Sequence, residues 1–355
     1  MRPTPAGIPF ACVLTVLASL TLACATDSVE EPPPDQTSAR PSLAFVAGGS
    51  TAFWEIATAG AVAGGKDFDA DVEASMPEGV ALQNGILREL LSRAINGTAV
   101  SPMNPGGQLS LLNELATHAP LVTHDSDAPE SRRLCFIGVD NYMAGRLCGR
   151  LVKEALPEGG TVAILVGRLE QLNAQQRRQG LIDELLDRPI DEDRRVFERY
   201  FPAQRYAKSG SIEGERFTVV GTFTDGLDLA EAERQADQVL TTHPDLDGIV
   251  GLFSYNVPVA LRALEKLDRV GKLAIVAFDE DQETLQAIAD GYVYGTVVQN
   301  PFRYGHDSIR ILAALARGDR SVLPEGGFLD VPPRQVTADN VAEFQAELEE
   351  LTLPN

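Results

Sequence analysis

Seven places along the chain put amides, carboxylates, hydroxyls or aromatics just after a short apolar run. Ser50-Thr51-Ala52-Phe53-Trp54 follows LAFVA, and Asp125-Ser126 follows PLVTH. Asp140-Asn141 follows LCFIGV, and Asn173 lies downstream of TVAILVG. Ser254-Tyr255-Asn256 follows GIVGLF, Asp279 follows LAIVAF, and Gln299-Asn300 follows GTVV. Carboxylates and amides accept and donate hydrogen bonds in pairs, as a hydroxyl-rich ligand requires. Phe53 and Trp54 offer flat apolar faces of the kind that cover the C–H face of a pyranose. At any single position, capping of the next helix explains Asp or Asn equally well. Seven positions of one chemical kind favour a sugar-type cleft, with Phe53 and Trp54 against ligand rather than in the core. The glycines of GGSTAFWEI (48–56) are expected to let the chain turn sharply off its strand.

The elements that must hold these residues alternate from residue 43 onward. Apolar β-rich runs at 43–47, 99–102, 120–125, 134–140, 161–167, 216–225, 248–253, 273–279 and 294–299 are separated by segments of helical spacing. A weaker strand is expected in 67–74. Strands apolar throughout, alternating with helices, predict α/β architecture: two doubly wound, Rossmann-like parallel sheets covered on both faces. Ligands of such sheets sit beyond the carboxyl ends of the strands, where the seven positions fall.

The chain has 355 residues and a formal net charge of −21, and removing residues 1–23, which hold Arg2 and no acid, takes it to −22. A phosphate backbone would be repelled, so nucleic acid is an unsuitable partner. Residues 1–24 form a leader: MRPTPAG, then the apolar IPFACVLTVLASLTLA, closed by TLAC. Its apolar stretch is shorter than a membrane span, and a small residue before Cys24 resembles a bacterial lipobox despite Thr21 where leucine is usual. An ordinary cleavable signal is the alternative. Residues 25–42 are polar, acidic and proline-rich and are expected to be a disordered tether. Cys135 and Cys148 could pair or stay free. The four histidines have no metal-ligand spacing, so no metal or cofactor is expected.

HDSD (124–127) holds the residue types of a nucleophilic triad, but adjacent residues on one strand end cannot form the relay, and Ser126 lacks the G-x-S-x-G elbow. Gly48-Gly49 do not complete G-x-G-x-x-G. No catalytic residue is therefore expected.

The ordered segments AFVAGGSTAFWEIATAG, NPGGQLSLLNELATHAPLVTHDSD, FIGVDNYMAGRLCGRLV, LNAQQRRQGLIDEL, GIVGLFSYNVPVALRAL, AIVAFDEDQETLQAI and GYVYGTVVQNPFRYG resemble the periplasmic sugar-binding proteins of ABC importers, of the ribose-binding type. The resemblance covers about 43–335. It implies two domains, 43–139 with 300–329 and 140–299 with 330–345, joined by three hinge strands and closing on a ligand. It also implies an exported, monomeric binding protein that serves an ABC permease from the periplasm; the lipobox-like TLAC adds a lipid on Cys24 that ties it to the membrane. Thr51, Phe53, Trp54, Asp125, Ser126, Asn173, Arg177, Asn256, Asp279 and Gln299 then fall on its ligand-binding positions, with Asn173 and Arg177 on the N-A-x-x-R pattern. Thr51 and Ser126 replace the asparagine and arginine usual there, so no particular pentose or hexose carries over. Residues 187–216 look like an extra hairpin or surface loop. The same fold also serves repressors, which the leader and acidity set aside, and receptor partners; a sensing role beside a membrane kinase is the alternative function.

Overall fold

The computed structural model describes residues 40–169, 171–190 and 210–352. The leader with Cys24, the tether up to residue 39, and 191–209 of the insertion lie outside the described residues. Tether residues 40–42 belong to the folded body: Arg40 pairs with Asp69 and Asp71.

The first sheet takes β1 (Ser42–Val46), β2 (Asp71–Ser75), β3 (Gly97–Val100), β4 (Leu121–His124) and β5 (Phe136–Gly138), interleaved with α1 (Ala52–Asp67), α2 (Val80–Leu91) and α3 (Pro105–His118). The chain then crosses to α4 (Asn141–Ala155), β6 (Gly160–Val166), α5 (Leu172–Leu185), β7 (Ile212–Glu213), β8 (Phe217–Thr224), α6 (Leu229–Thr242), β9 (Gly248–Gly251), α7 (Asn256–Lys266), β10 (Ala274–Phe278), α8 (Gln282–Ala289) and β11 (Gly295–Val298). It returns to the first lobe for α9 (Pro301–Ala316) and β12 (Phe328–Asp330), and ends in the second with β13 (Arg334–Thr337) and α10 (Val341–Thr352). Three crossings, near 139–140, 299–300 and 331–333, therefore join the lobes.

The first sheet runs β12-β5-β4-β3-β1-β2, all parallel. The second runs β13-β11-β10-β9-β6-β8-β7, with antiparallel strands only at its two edges. One edge, the β7–β8 hairpin, is the described end of the insertion. Each sheet has an apolar core on both faces, the reason its central strands carry no polar alternation.

Glycine sets the helix spacing that backs the strand ends. α1 crosses α9 where a Cβ on Gly60 or Gly305 would overlap the carbonyl of Phe302 or Ala57. α4 meets α5 in the same way, through Gly145 against the Arg177 carbonyl and Gly180 against that of Tyr142. The helices carrying Phe53 and Trp54 on one side, and Asn173 and Arg177 on the other, are thus seated backbone to backbone.

Cys135 and Cys148 are free thiols, buried in different cores. Burial pushes the Cys135 thiol up to about 12 and raises Cys148 as well, so both stay protonated.

Candidate ligand-binding site

The carboxyl ends of both sheets face one cleft with a cavity of about 510 Å³. Nine of the ten residues singled out in the sequence line it: Thr51, Phe53, Trp54, Asp125, Ser126, Asn173, Arg177, Asp279 and Gln299. Asn256 does not. It is buried, its Oδ1 accepts from the Phe253 N–H (2.9 Å), and its Nδ2 donates to Asp225 (3.2 Å). Its amide is consumed inside the lobe and supports the wall instead of facing the cleft.

Phe53 and Trp54 stand in the first turn of α1, edge to face with centroids 4.9 Å apart. Both are half-buried and do two things at once: their inner edges pack on the core beside Tyr304 and His124, while they line the cleft. A division between ligand contact and core contact therefore does not hold here. Gly48 and Gly49 follow β1 where the chain bends, and they also serve the indole. Neither adopts a positive φ. A Cβ on Gly49 would lie 2.6 Å from Trp54 Nε1, and one on Gly48 would lie 2.8 Å from Trp54 Cζ2. These glycines are small so that the indole can lie on their backbone. Thr51, the N-cap of α1, makes no side-chain capping bond, which leaves its hydroxyl available to the cleft.

Arg177 carries the cationic group between the two carboxylates and is 1% exposed. Its Nε donates to Asn141 Oδ1 (2.8 Å), one terminal nitrogen donates to the Leu252 carbonyl (3.1 Å), and the guanidinium lies 3.8 Å from the Phe278 ring centroid. Stacking and two hydrogen bonds fix a fork that still borders the cleft. Asp279 accepts from Gln299 Nε2 (2.8 Å), and Gln299 Oε1 accepts from the buried Tyr304 hydroxyl (2.9 Å), a relay that orients the amide. Among the described residues the Asp125 carboxylate accepts only a long bond from the Ser101 hydroxyl, at 3.4 Å.

The carboxylates feel this setting. Burial pushes Asp125 up to about 7, with Arg177 pulling it down and Asp279 pushing it up. Burial raises Asp279 against the opposing pull of Arg177 and the Gln299 amide. Glu280 next to it is buried with no side-chain partner among the described residues, and burial with the neighbouring Asp279 holds it well above the carboxylate range. His124 is fully buried and stacked on Phe45 at 4.4 Å; burial lowers it to about 3, against a smaller opposing pull from the Val46 backbone. The HDSD segment thus contains no hydrogen-bonded base–nucleophile pair.

Sequence reasoning placed Tyr255 among the strand-end residues without assigning it to the ligand and missed Phe253. The two stack at 6.2 Å with planes 2° apart and line the same cleft as Trp54. Tyr255 is held by its hydroxyl donating to Asp225 (2.6 Å), and Asp225 also accepts from the N–H of Leu227, which takes φ 68° at the cleft. Asp225 sits at the end of β8, so the strand-end rule applied to every strand would have found it. Among the described residues no group of His, Cys, Asp and Glu could hold a metal, and no helix is long and apolar enough to cross a membrane.

Paired parallel sheets with three crossings and a polar–aromatic cleft at their strand ends define a two-lobed binding protein. The chain belongs to the periplasmic binding protein domain family, whose model matches residues 43–320. Membership places it among substrate-binding proteins rather than enzymes. It is similar to the ribose import binding protein of Salmonella typhimurium (22% identity over 249 residues, 67% of this chain and 73% of that one). Two solved structures share its fold at TM-score 0.72. One is a glucose-galactose binding protein from Geobacillus stearothermophilus, at 23% identity over 85% of this chain and 99% of that one. The other is an ABC transporter solute-binding protein from Burkholderia graminis in complex with D-arabinose, at 26% identity over 84% and 96%.

Proposed function

We propose that the protein is an exported, lipid-anchored, monomeric binding protein that captures a small carbohydrate between its lobes and delivers it to an ABC import permease. The observation that carries this reading is the placement of Asp125 and Asp279, one from each lobe, at a cleft also lined by Trp54 and Arg177. A ligand that bonds to both lobes favours a closed form over an open one by the difference in contacts it makes. Hydroxyls donate to the carboxylates and accept from Arg177, Asn173 and Gln299, while the aromatic faces cover C–H surface. Relatives named for ribose, glucose-galactose and D-arabinose support the carbohydrate class. The leader and TLAC motif support export to the periplasmic side and acylation of Cys24.

A thermal-shift screen against mono- and disaccharides, amino acids and peptides tests the ligand class. Ligand at a hundred times its Kd stabilises by about 2.7 kcal/mol, well above detection. A raised Tm with a sugar is expected; a response only to amino acids or peptides overturns the reading. Mass spectrometry of the mature N-terminus should find Cys24 acylated, and an unmodified terminus rules out the anchor.

A further inference from the structure

A second compartment of about 530 Å³ opens from the cleft. It lies between the N-terminal turn of α3 and the Phe136–Phe328 pair on one side and the first turns of α5 on the other. Asp125, Ser126, Arg168, Gln171 and Asn173 border both compartments, so the two are continuous. Each alone falls within the roughly 300–1,000 Å³ of a whole small-molecule site. Together they offer more room than a single sugar ring needs.

Two amides in the second compartment lack partners. Gln176 is 3% exposed, borders this compartment and not the first, and its side chain makes no hydrogen bond among the described residues. Gln171 Oε1, at the junction, is buried without a partner. The Gln171 oxygen is buried and unpaired, which costs about 1–3 kcal/mol, and the Gln176 amide lines the same cavity with its hydrogen bonds unused, so the two offer an occupant bonds that the protein does not fill. The facing wall is apolar: Phe136 and Phe328 stack at 5.5 Å with planes 12° apart, beside Met103 and Pro105. The charged groups of this wall neutralise each other, since Arg133 donates to both oxygens of Asp127 and to the Gly327 carbonyl. Neutral amides opposite an apolar wall suit a second uncharged ring.

We propose that this compartment is a second saccharide subsite and that the ligand is a two-ring carbohydrate. One ring occupies the Trp54–Arg177 compartment and the next hydrogen-bonds to Gln176, with Gln171 at the linkage. This assignment rests on the carbohydrate reading above.

Calorimetric titration with a panel of disaccharides and their component monosaccharides tests it on the wild-type protein and on Gln176→Leu. The wild type should bind at least one disaccharide tenfold or more tightly than either component. Gln176→Leu should weaken that disaccharide at least fivefold and change monosaccharide affinity less than twofold. If a monosaccharide binds as tightly as every disaccharide, the second subsite is wrong while the carbohydrate reading stands. An equal loss for both sugars in the variant also overturns the subsite, because Gln176 then acts through the fold. If Gln176→Leu does not fold, Gln176→Asn, which keeps an amide one methylene short, must show the same selective loss. Binding of no sugar of either size overturns the carbohydrate reading, and this assignment falls with it.

Discussion

Asp125 and Asp279 occupy the same place in two different sheets. Each is the residue after a buried strand, and each donates its N–H to the neighbouring strand, to Ile137 (3.0 Å) and Val297 (2.9 Å) respectively. Each then turns into left-handed backbone, at φ 57° and 69°. Aspartate tolerates this region better than most residues, and the turn lets the strand end abruptly with the side chain at the cleft. The two lobes thereby present carboxylates to one cleft from equivalent positions.

That arrangement makes binding pH-dependent. Asp125 titrates near 7 in the free protein, and a hydroxyl donor prefers its ionised form. Affinity scales with the competent fraction, so below pH 7 it should fall by up to about tenfold per pH unit. Titrations from pH 5.5 to 8.5 should show this decline. Asp125→Asn should bind at least about tenfold more weakly at pH 8.5, through loss of a charged hydrogen bond, with a flatter profile. A wild-type affinity constant across the range would exclude an ionised Asp125 as acceptor.

Trp54→Ala should weaken ligand binding at least tenfold, on the order of 1.4–3 kcal/mol for a lost aromatic platform. Gly49→Ala offers a finer probe, because a methyl there meets the indole at 2.6 Å and displaces it without removing it. It should lower affinity in the same direction while Tm changes less than in Trp54→Ala. Unchanged affinity in both variants would assign the indole to the core alone.

The parts of this protein that were readable in its sequence obey local rules, and those that were not depend on long-range partners. Unbroken apolar strands marked both sheets, and strand-end chemistry marked Asp125, Asp279 and Gln299. β2 was faint because it is an edge strand that buries little on either face. Asn256 carries the expected residue type at the expected place, yet its amide was already claimed by Asp225 and Phe253. Nothing local distinguishes an amide that faces ligand from one that ties two loops together. Gln176 shows the converse, a polar residue in an ordinary helical pattern whose partnerless burial only the packing of α5 reveals.

Gln83 was invisible for the same reason, and it makes a stability prediction. Fully buried on α2, it donates to the carbonyls of Ala47 and Ser101 (both 2.8 Å) and accepts from Met103 N–H and Gln108. It thereby ties together the loops that follow β1 and β3, including the one that leads into the helix carrying Trp54. Gln83→Leu has a similar volume but orphans these groups, so a loss of about 2–4 kcal/mol is expected. Denaturant unfolding measures it; a change within about 0.5 kcal/mol would mean that water replaces the amide.

His124 supplies the acid limit of stability. Its folded-state value is about 3 against 6.5 for the free side chain, so between these limits the unfolded chain binds a proton that the native protein does not. Stability must then rise with pH through this window and fall as pH drops below 6.5. Asp125 acts in the opposite sense, because its folded value of about 7 exceeds 3.8; its contribution falls as pH rises between them. Comparing wild type with His124→Phe cancels the Asp125 term. The ring stacks on Phe45 inside the core, so phenylalanine keeps the packing and removes the buried polar atoms. At pH 8 the variant should be at least as stable as wild type. At pH 5 its advantage should grow by about 1.4 kcal/mol for each pH unit below 6.5, seen as several degrees in Tm. A difference between the two proteins that stays constant from pH 8 to pH 5 would mean that His124 takes up its proton in the folded state.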